Sequence, residues 1–345
     1  MITKERSYRQ GYLGYNSFFD NFRQQEETQG RSIGRITAEH RDRYTISTEN
    51  ETFEGEIIGS LRYTATTRHD LPIVGDWVSY MNFDDHKAII YAVAPRNSIL
   101  ERKDKLIASN IDGALVVTSP NRDFNIPRLE RYLSLCRQAK ITPFIVVNKI
   151  DLISETQLEE IKEKVDPMAS AFFISCLDGY TTDIISFLKP HKTYIMLGSS
   201  GVGKSTLINT LLKKELLKTS EISSKVQRGK HQTTARELME LLNQSYIIDN
   251  PGIREVGLTS SKEGIEDTFK HIEALASSCQ YKNCMHQNEK GCAVLEGIEE
   301  GVITQDEYNH YMKLNREVEH YRSTEKERKD KAKKLSKLIR KVNNR

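Results

Sequence analysis

Nothing in the 345 residues could cross a membrane as a helix: no apolar run approaches the roughly 20 residues a bilayer demands. The opening stretch, Met1 to Gln10, carries charge and has no apolar core, which argues against a secretory leader. No internal repeat is visible. Cysteines are few and odd in number, five in all, which argues against a disulfide framework. With charged residues at 29% and a mean hydropathy of −0.57, the chain is expected to be a soluble cytoplasmic protein with no membrane partner. Its length predicts two or three domains.

The net charge of +3 conceals an asymmetry. From Tyr321 to Arg345 there are 11 Lys and Arg against 3 Asp and Glu, whereas the rest of the chain is mildly acidic. A basic tail of this kind fits contact with a polyanion, nucleic acid first. It fits a solvated charged helix equally well.

Residues 1–32 are polar, rich in Arg, Gln and Tyr, and show no regular pattern. Between Ile33 and Val93 short strand-like stretches follow one another: Tyr44, Ile46 and Thr48 alternate with polar residues, and Glu56 to Leu61, Asp76 to Met81 and Ala88 to Val93 are rich in β-formers. Gly34, Asn50, Gly55, Gly59, Pro72 and Gly75 punctuate them. Several short strands without helical period suggest a small β-barrel, with the OB-fold as a candidate. From about Leu106 the pattern becomes α/β. Apolar runs at Ala114 to Thr118, Phe144 to Val147, Ala171 to Ile174, Tyr194 to Leu197 and Tyr246 to Ile248 alternate with helical segments such as Pro127 to Gln138 and Glu155 to Lys164. Wholly apolar strands between helices imply a parallel sheet covered on both faces. Beyond about Ser261 the chain reads as helical.

Gly198-Ser199-Ser200-Gly201-Val202-Gly203-Lys204-Ser205-Thr206 fits the phosphate-loop pattern, between the strand Tyr194 to Leu197 and the helical run Thr206 to Leu212. Its backbone N–H groups are expected to face phosphate oxygens, aided by the positive end of the following helix. Lys204 would neutralise the β- and γ-phosphates, and the Ser205 hydroxyl would ligate magnesium. The base is indicated by Asn148-Lys149-Ile150-Asp151, directly after a buried strand. A carboxylate accepts two hydrogen bonds from guanine, while adenine would leave it desolvated and unpaired. Ser175-Cys176-Leu177 falls where a short loop would back the base.

Asp249-Asn250-Pro251-Gly252 follows another strand and fits D-x-x-G: Asp249 toward magnesium through water, the Gly252 N–H toward the γ-phosphate. Between this motif and the phosphate loop lies the polar stretch Arg228-Gly229-Lys230-His231-Gln232-Thr233-Thr234, where a threonine could close over the metal only while the γ-phosphate is present. Ile253 follows Gly252 and cannot orient water with its side chain. His231 is the candidate to do so, although a histidine in a surface loop has the same spacing. The base motifs precede the phosphate loop and D-x-x-G comes last, so the order is circularly permuted relative to most GTPases. Cys279-x4-Cys284-x-His286-x5-Cys292 places three thiols and an imidazole within fourteen residues, a donor set suited to one structural zinc ion per chain.

These motifs resemble the RsgA (YjeQ) family of circularly permuted bacterial GTPases. The resemblance covers about residues 33 to 320. Its matching features are N-K-I-D at 148–151, the phosphate loop through Thr206, G-K-H-x-T-T at 229–234, D-x-P-G at 249–252, Val74-Gly-Asp-Trp-Val78, Asn110-Ile-Asp112 and the cysteine cluster. Gln232 departs from the family, which usually carries threonine there. The resemblance implies a multidomain protein: an N-terminal OB-fold β-barrel, a central α/β P-loop GTPase and a C-terminal helical zinc-binding domain. The expected divisions are 1–32 (extension), 33–103, 104–260 and 261–345. It further places the family's catalytic histidine on His231 and its switch threonine on Thr233; with Lys204 of the phosphate loop, these are the expected catalytic residues. The expected partners are GTP and GDP, the small ribosomal subunit and its rRNA, for a protein acting as a monomer in late subunit maturation. An RNA-binding module using GTP as a latch with negligible turnover is the alternative that Ile253 and the basic tail favour. An ATP-dependent kinase would leave Asp151 without a purpose.

Overall fold

The computed structural model describes residues 11–40, 43–102, 105–120, 124–212, 236–249 and 263–319. Two 3₁₀ turns, Tyr12–Gly14 and Ser17–Phe19, precede helix α1 (Asp20–Thr28). Strands β1 (Ser32–Glu39), β2 (Tyr44–Ser47) and β3 (Thr52–Ile57) follow, then the short helix α2 (Gly59–Thr64), β4 (Trp77–Asn82) and β5 (Lys87–Val93). These five strands run in the order β1-β2-β3-β5-β4, and β4 pairs back onto β1, closing a barrel. Ile36, Ile46, Phe53, Val78, Tyr80 and Ile90 fill it. The apolar alternation around Gly55 thus does what period-two patterning requires of a half-buried sheet.

Two sequence expectations need correction here. The strand expected over Glu56 to Leu61 ends at Ile57, where in–out alternation stops. The chain then turns at Gly59 into α2, none of whose residues is buried. The patternless opening region is also structured from residue 11 onward. Leu13, Tyr15 and Phe19 are buried, and the Tyr15 ring meets Trp77 edge-on, centroids 5.2 Å apart. The Tyr246 hydroxyl accepts a hydrogen bond from the Leu13 N–H at 2.8 Å. Their partners lie 62 and 233 residues away, so no local periodicity could announce them.

A hairpin, β6 (Ile99–Arg102) and β7 (Lys105–Ser109), leads into the α/β part. There β8 (Gly113–Thr118), α3 (Ile126–Gln138), β9 (Thr142–Asn148), α4 (Glu155–Val165), β10 (Ala171–Ile174), α5 (Thr182–Phe187), β11 (Thr193–Leu197), α6 (Lys204–Leu212), β12 (Glu237–Glu240) and β13 (Tyr246–Asp249) succeed one another. The sheet order is β10-β9-β8-β11-β13-β12. Every neighbouring pair is parallel except β12 with β13. Strands β8 and β11 are buried along their whole length, which explains their unbroken apolar runs. From β8 the chain moves outward through β9 to β10, then returns to lay β11 on the other flank of β8. The two connections diverge at that point, where sheets of this kind hold their ligands. Strand β12 also pairs with β1 through Ala38 and Glu237, so barrel and sheet share hydrogen bonds.

Helices α7 (Glu263–Thr268), α8 (Lys270–Ala276) and α9 (Ala293–Glu299), with a helical run over 305–319, form the C-terminal part. Its own core contains Ile265, Phe269, Ile272, Val294, Tyr311 and Val318. Among the described residues no helix is long and apolar enough to cross a membrane.

Candidate functional site

Strand β11 delivers the chain to Gly198, and α6 begins six residues later at Lys204. Leu207, Ile208, Leu211 and Leu212 bury one face of that helix, which holds the loop before it against the sheet. Gly203 has φ +96°, and a Cβ there would fall 2.2 Å from the Asn148 Nδ2, so only glycine fits. The Lys204 ammonium donates to the carbonyls of Gly198 at 2.8 Å and Ser199 at 2.6 Å. Burial lowers its pKa, and nearby Asp249, at the end of β13, opposes that shift. A partly desolvated cation of this kind attracts phosphate more strongly than one in water. Ser205 and Thr206 stand in the first turn of α6, half-buried, while Ser200 is exposed.

The base motif is bonded directly to the phosphate loop. The Asn148 side chain donates to the Val202 carbonyl at 3.0 Å. Lys149, itself in the left-handed region at φ 69°, donates from Nζ to the Gly201 carbonyl at 2.7 Å. Ile150 opens the 3₁₀ turn that presents Asp151 at the surface. The Ser175 hydroxyl donates to an Asp151 oxygen at 2.6 Å, and the Cys176 N–H donates to Asn148 Oδ1 at 3.3 Å. Segments 148–151, 175–176 and 198–206 therefore meet at the C-terminal ends of β9, β10 and β11 despite their reversed order in the chain. His231, Thr233 and Gly252, expected to complete the site, lie outside the described residues.

In the C-terminal part Cys279, Cys284, His286 and Cys292 bring their ligand atoms within 4.8 Å of one another and could hold a metal ion. His286 Nδ1 lies 3.5 Å from the sulfurs of both Cys279 and Cys292, which are themselves 3.9 Å apart. The Tyr308 hydroxyl donates to the His286 carbonyl at 2.6 Å, tying the cluster to the helical run over 305–319.

Other residues support the site, among them two stretches, 74–78 and 110–112, that the resemblance marked without a physical role. At the barrel–sheet junction Gly75, at φ +96°, packs so closely that a Cβ would lie 2.1 Å from the Ser109 carbonyl oxygen. Asp76, fully buried, receives two hydrogen bonds from Arg96, at 2.8 and 2.6 Å, and another from the Ser109 hydroxyl. The Asn110 side chain donates to the Gly75 carbonyl at 3.0 Å, and Asp112 accepts from the Thr193 N–H at 2.9 Å. The stretches 74–78 and 110–112 thus lock barrel to sheet. Arg128, on α3, donates to the Ser199 hydroxyl at 2.7 Å. The available signal was a cation in the first turn of a helix, where the dipole disfavours it.

Comparison with known proteins adds to this geometry. A family model described as RsgA GTPase matches residues 93–259, and one described as 50S ribosome-binding GTPase matches 193–329. The chain is 38% identical to the "Small ribosomal subunit biogenesis GTPase RsgA 2" of Listeria monocytogenes serotype 4b, covering 89% of each protein. It is 35% identical to the protein of the same name from Vibrio vulnificus, covering 99% of this chain and 97% of that one. Among solved structures, YjeQ from Thermotoga maritima superposes with a TM-score of 0.63 at 24% identity, over 84% of this chain and 98% of that one. YloQ, described as a circularly permuted GTPase, gives 0.62 at 23% identity.

Proposed function

The chain belongs to the RsgA family of circularly permuted GTPases, and on that premise we propose that it binds the small ribosomal subunit and hydrolyses GTP to drive a late step of its maturation. It acts as a cytoplasmic monomer whose RNA contact is with the subunit's rRNA. The observation that carries the reading is the hydrogen-bonded union of base motif and phosphate loop, Asn148 to Val202 and Lys149 to Gly201. It stands in a chain alike over most of its length to proteins named for small-subunit biogenesis.

In this reading Asp151 reads guanine, Lys149 lies along the purine, and the Ser175-Cys176 loop backs the base. The backbone of 198–204 cradles the phosphates and Lys204 neutralises them. Ser205 and Asp249 would hold magnesium, which supplies charge neutralisation at the phosphates. Thr233 closes the switch and the Gly252 N–H meets the γ-phosphate. His231 orients the attacking water in place of the side chain that Ile253 lacks.

Cys279, Cys284, His286 and Cys292 hold one structural zinc ion. Tetrahedral zinc with ordinary bond lengths separates its sulfurs by about 3.8 Å and sulfur from nitrogen by about 3.6 Å. The spacings of 3.9 and 3.5 Å support that fit. The ion would supply cohesion to the C-terminal helices and no chemistry.

The test is co-sedimentation with purified small or large ribosomal subunits, with a non-hydrolysable GTP analogue or GDP. Retention on small subunits with the analogue and release with GDP is expected. Preference for large subunits, or equal retention with both nucleotides, contradicts the proposal.

A further inference from the structure

Helix α3 has its N-terminal turn at the phosphate loop and its next turns against the C-terminal helices. Asn125 caps the helix by accepting from the Arg128 N–H at 2.9 Å, which fixes the backbone of Arg128 in the first turn. A guanidinium there opposes the helix dipole. It is held by a partner 71 residues away, the Ser199 hydroxyl, at 2.7 Å. The residues that follow meet the C-terminal part at successive points. The Arg131 guanidinium donates to Glu317 at 2.6 Å, and Glu130 lies 2.9 Å from His310. The Ser134 hydroxyl donates to Thr268 at 2.9 Å. Gly264 of α7 approaches so closely that a Cβ would sit 2.0 Å from the Ser134 carbonyl oxygen, which leaves no room for sliding there.

We propose that Arg128 is a positioning residue of the phosphate loop, and that α3 transmits displacement between this loop and the C-terminal helices. Six residues separate Arg128 from Ser134, about 9 Å of helix, a span short enough to move as one body. Arg128 sets where Ser199 stands, and Ser199 belongs to the backbone that faces the phosphates. Small misplacements of such groups cost rate far more than ground-state binding. The proposal rests on the phosphate-loop reading of 198–206. It does not depend on which ribosomal particle is bound.

The experiment is a double-variant cycle on the full chain: Arg128→Ala, Ser199→Ala and both together. Intrinsic single-turnover GTP hydrolysis, GDP affinity and affinity for GDP with aluminium fluoride are read for each. Each single variant should hydrolyse GTP about tenfold more slowly and bind the aluminium fluoride complex correspondingly less well, with GDP affinity within about twofold of the parent. The double variant should be no slower than the worse single one, because one contact is lost in all three. Arg128→Lys, which keeps a cation within reach of the hydroxyl, should recover part of the rate. Parent-like turnover in the single variants, or losses that multiply in the double, overturns the positioning role. For transmission, hydrogen exchange over 263–268 and 305–319 is compared between GDP and GDP with aluminium fluoride. A difference in the parent that disappears in Arg128→Ala and in Arg131→Ala is expected. No difference in the parent, or one that persists in both variants, overturns it. Hydrolysis that small subunits fail to stimulate would count against the ribosomal reading alone.

Discussion

At the scale of single residues, what was legible followed from chemistry confined to a few neighbouring positions. Asp151 is proposed from its tetrapeptide because a carboxylate can accept two hydrogen bonds from guanine, and the Ser175 hydroxyl donates to it. We expect Asp151→Asn to weaken GTP binding and shift preference toward xanthosine nucleotides, whose extra carbonyl suits an amide donor; unchanged GTP affinity in a competition titration would contradict the assignment. Glu130 was not legible, since its environment is made by a helix more than 170 residues downstream. Burial, with Glu307 adding repulsion, raises its pKa from the ordinary 4.5 to about 7. His310 opposite it is pushed down by its own burial and is therefore poorly placed to compensate. A carboxyl raised in the folded state binds more protons there than in the unfolded chain, so its contribution falls as pH climbs from about 4.5 to about 7. Glu130→Gln should accordingly raise the melting temperature at about pH 8 and leave it nearly unchanged near pH 4. An equal effect at both pH values would show that the charge is not the cause.

Among elements, strands and helices with a strong period of their own were found nearly to the residue: Ala171–Ile174 and Glu155–Val165 are instances. Elements whose apolar residues answer to distant partners were missed. The opening segment around Tyr15 and the hairpin β6–β7 belong to that class. The 74–78 stretch looked like a family feature without a physical reason; the reason is the buried Asp76–Arg96 pair and its Ser109 partner. Removing one member of such a pair strands the other, so Asp76→Ala should cost about 3–5 kcal/mol. The chain's single tryptophan, Trp77, is buried beside it and reports urea unfolding of the barrel directly. Loss under about 1 kcal/mol would mean the junction relaxes. The cysteine knuckle was legible from spacing alone, and its sulfurs belong to the small C-terminal core. One zinc per chain is expected, lost in Cys279→Ser with Cys284→Ser together with much of the helicity of that part. Zinc retained in the double variant would remove the site.

For the molecule as a whole, permutation reorders the motifs along the chain, yet segments 148–151, 175–176 and 198–206 meet in the fold. Strand β11 sits in the middle of the sheet with the base-side strands on one flank and β13 on the other. The motif order in the sequence therefore disclosed the cut, whereas the hydrogen bonding of β1 to β12, which fuses barrel and sheet, was beyond reach of any local pattern. We propose a GTP hydrolase governed by the small ribosomal subunit, with His231 placing the water. The direct measurement is single-turnover GTP hydrolysis by the parent and by His231→Ala, each alone and on saturating small subunits, with GTP affinity measured alongside. The parent should be slow alone and accelerated by the subunit, and His231→Ala should keep its affinity while losing most of that acceleration. A parent indifferent to the subunit, or a His231→Ala variant accelerated as much as the parent, would contradict it.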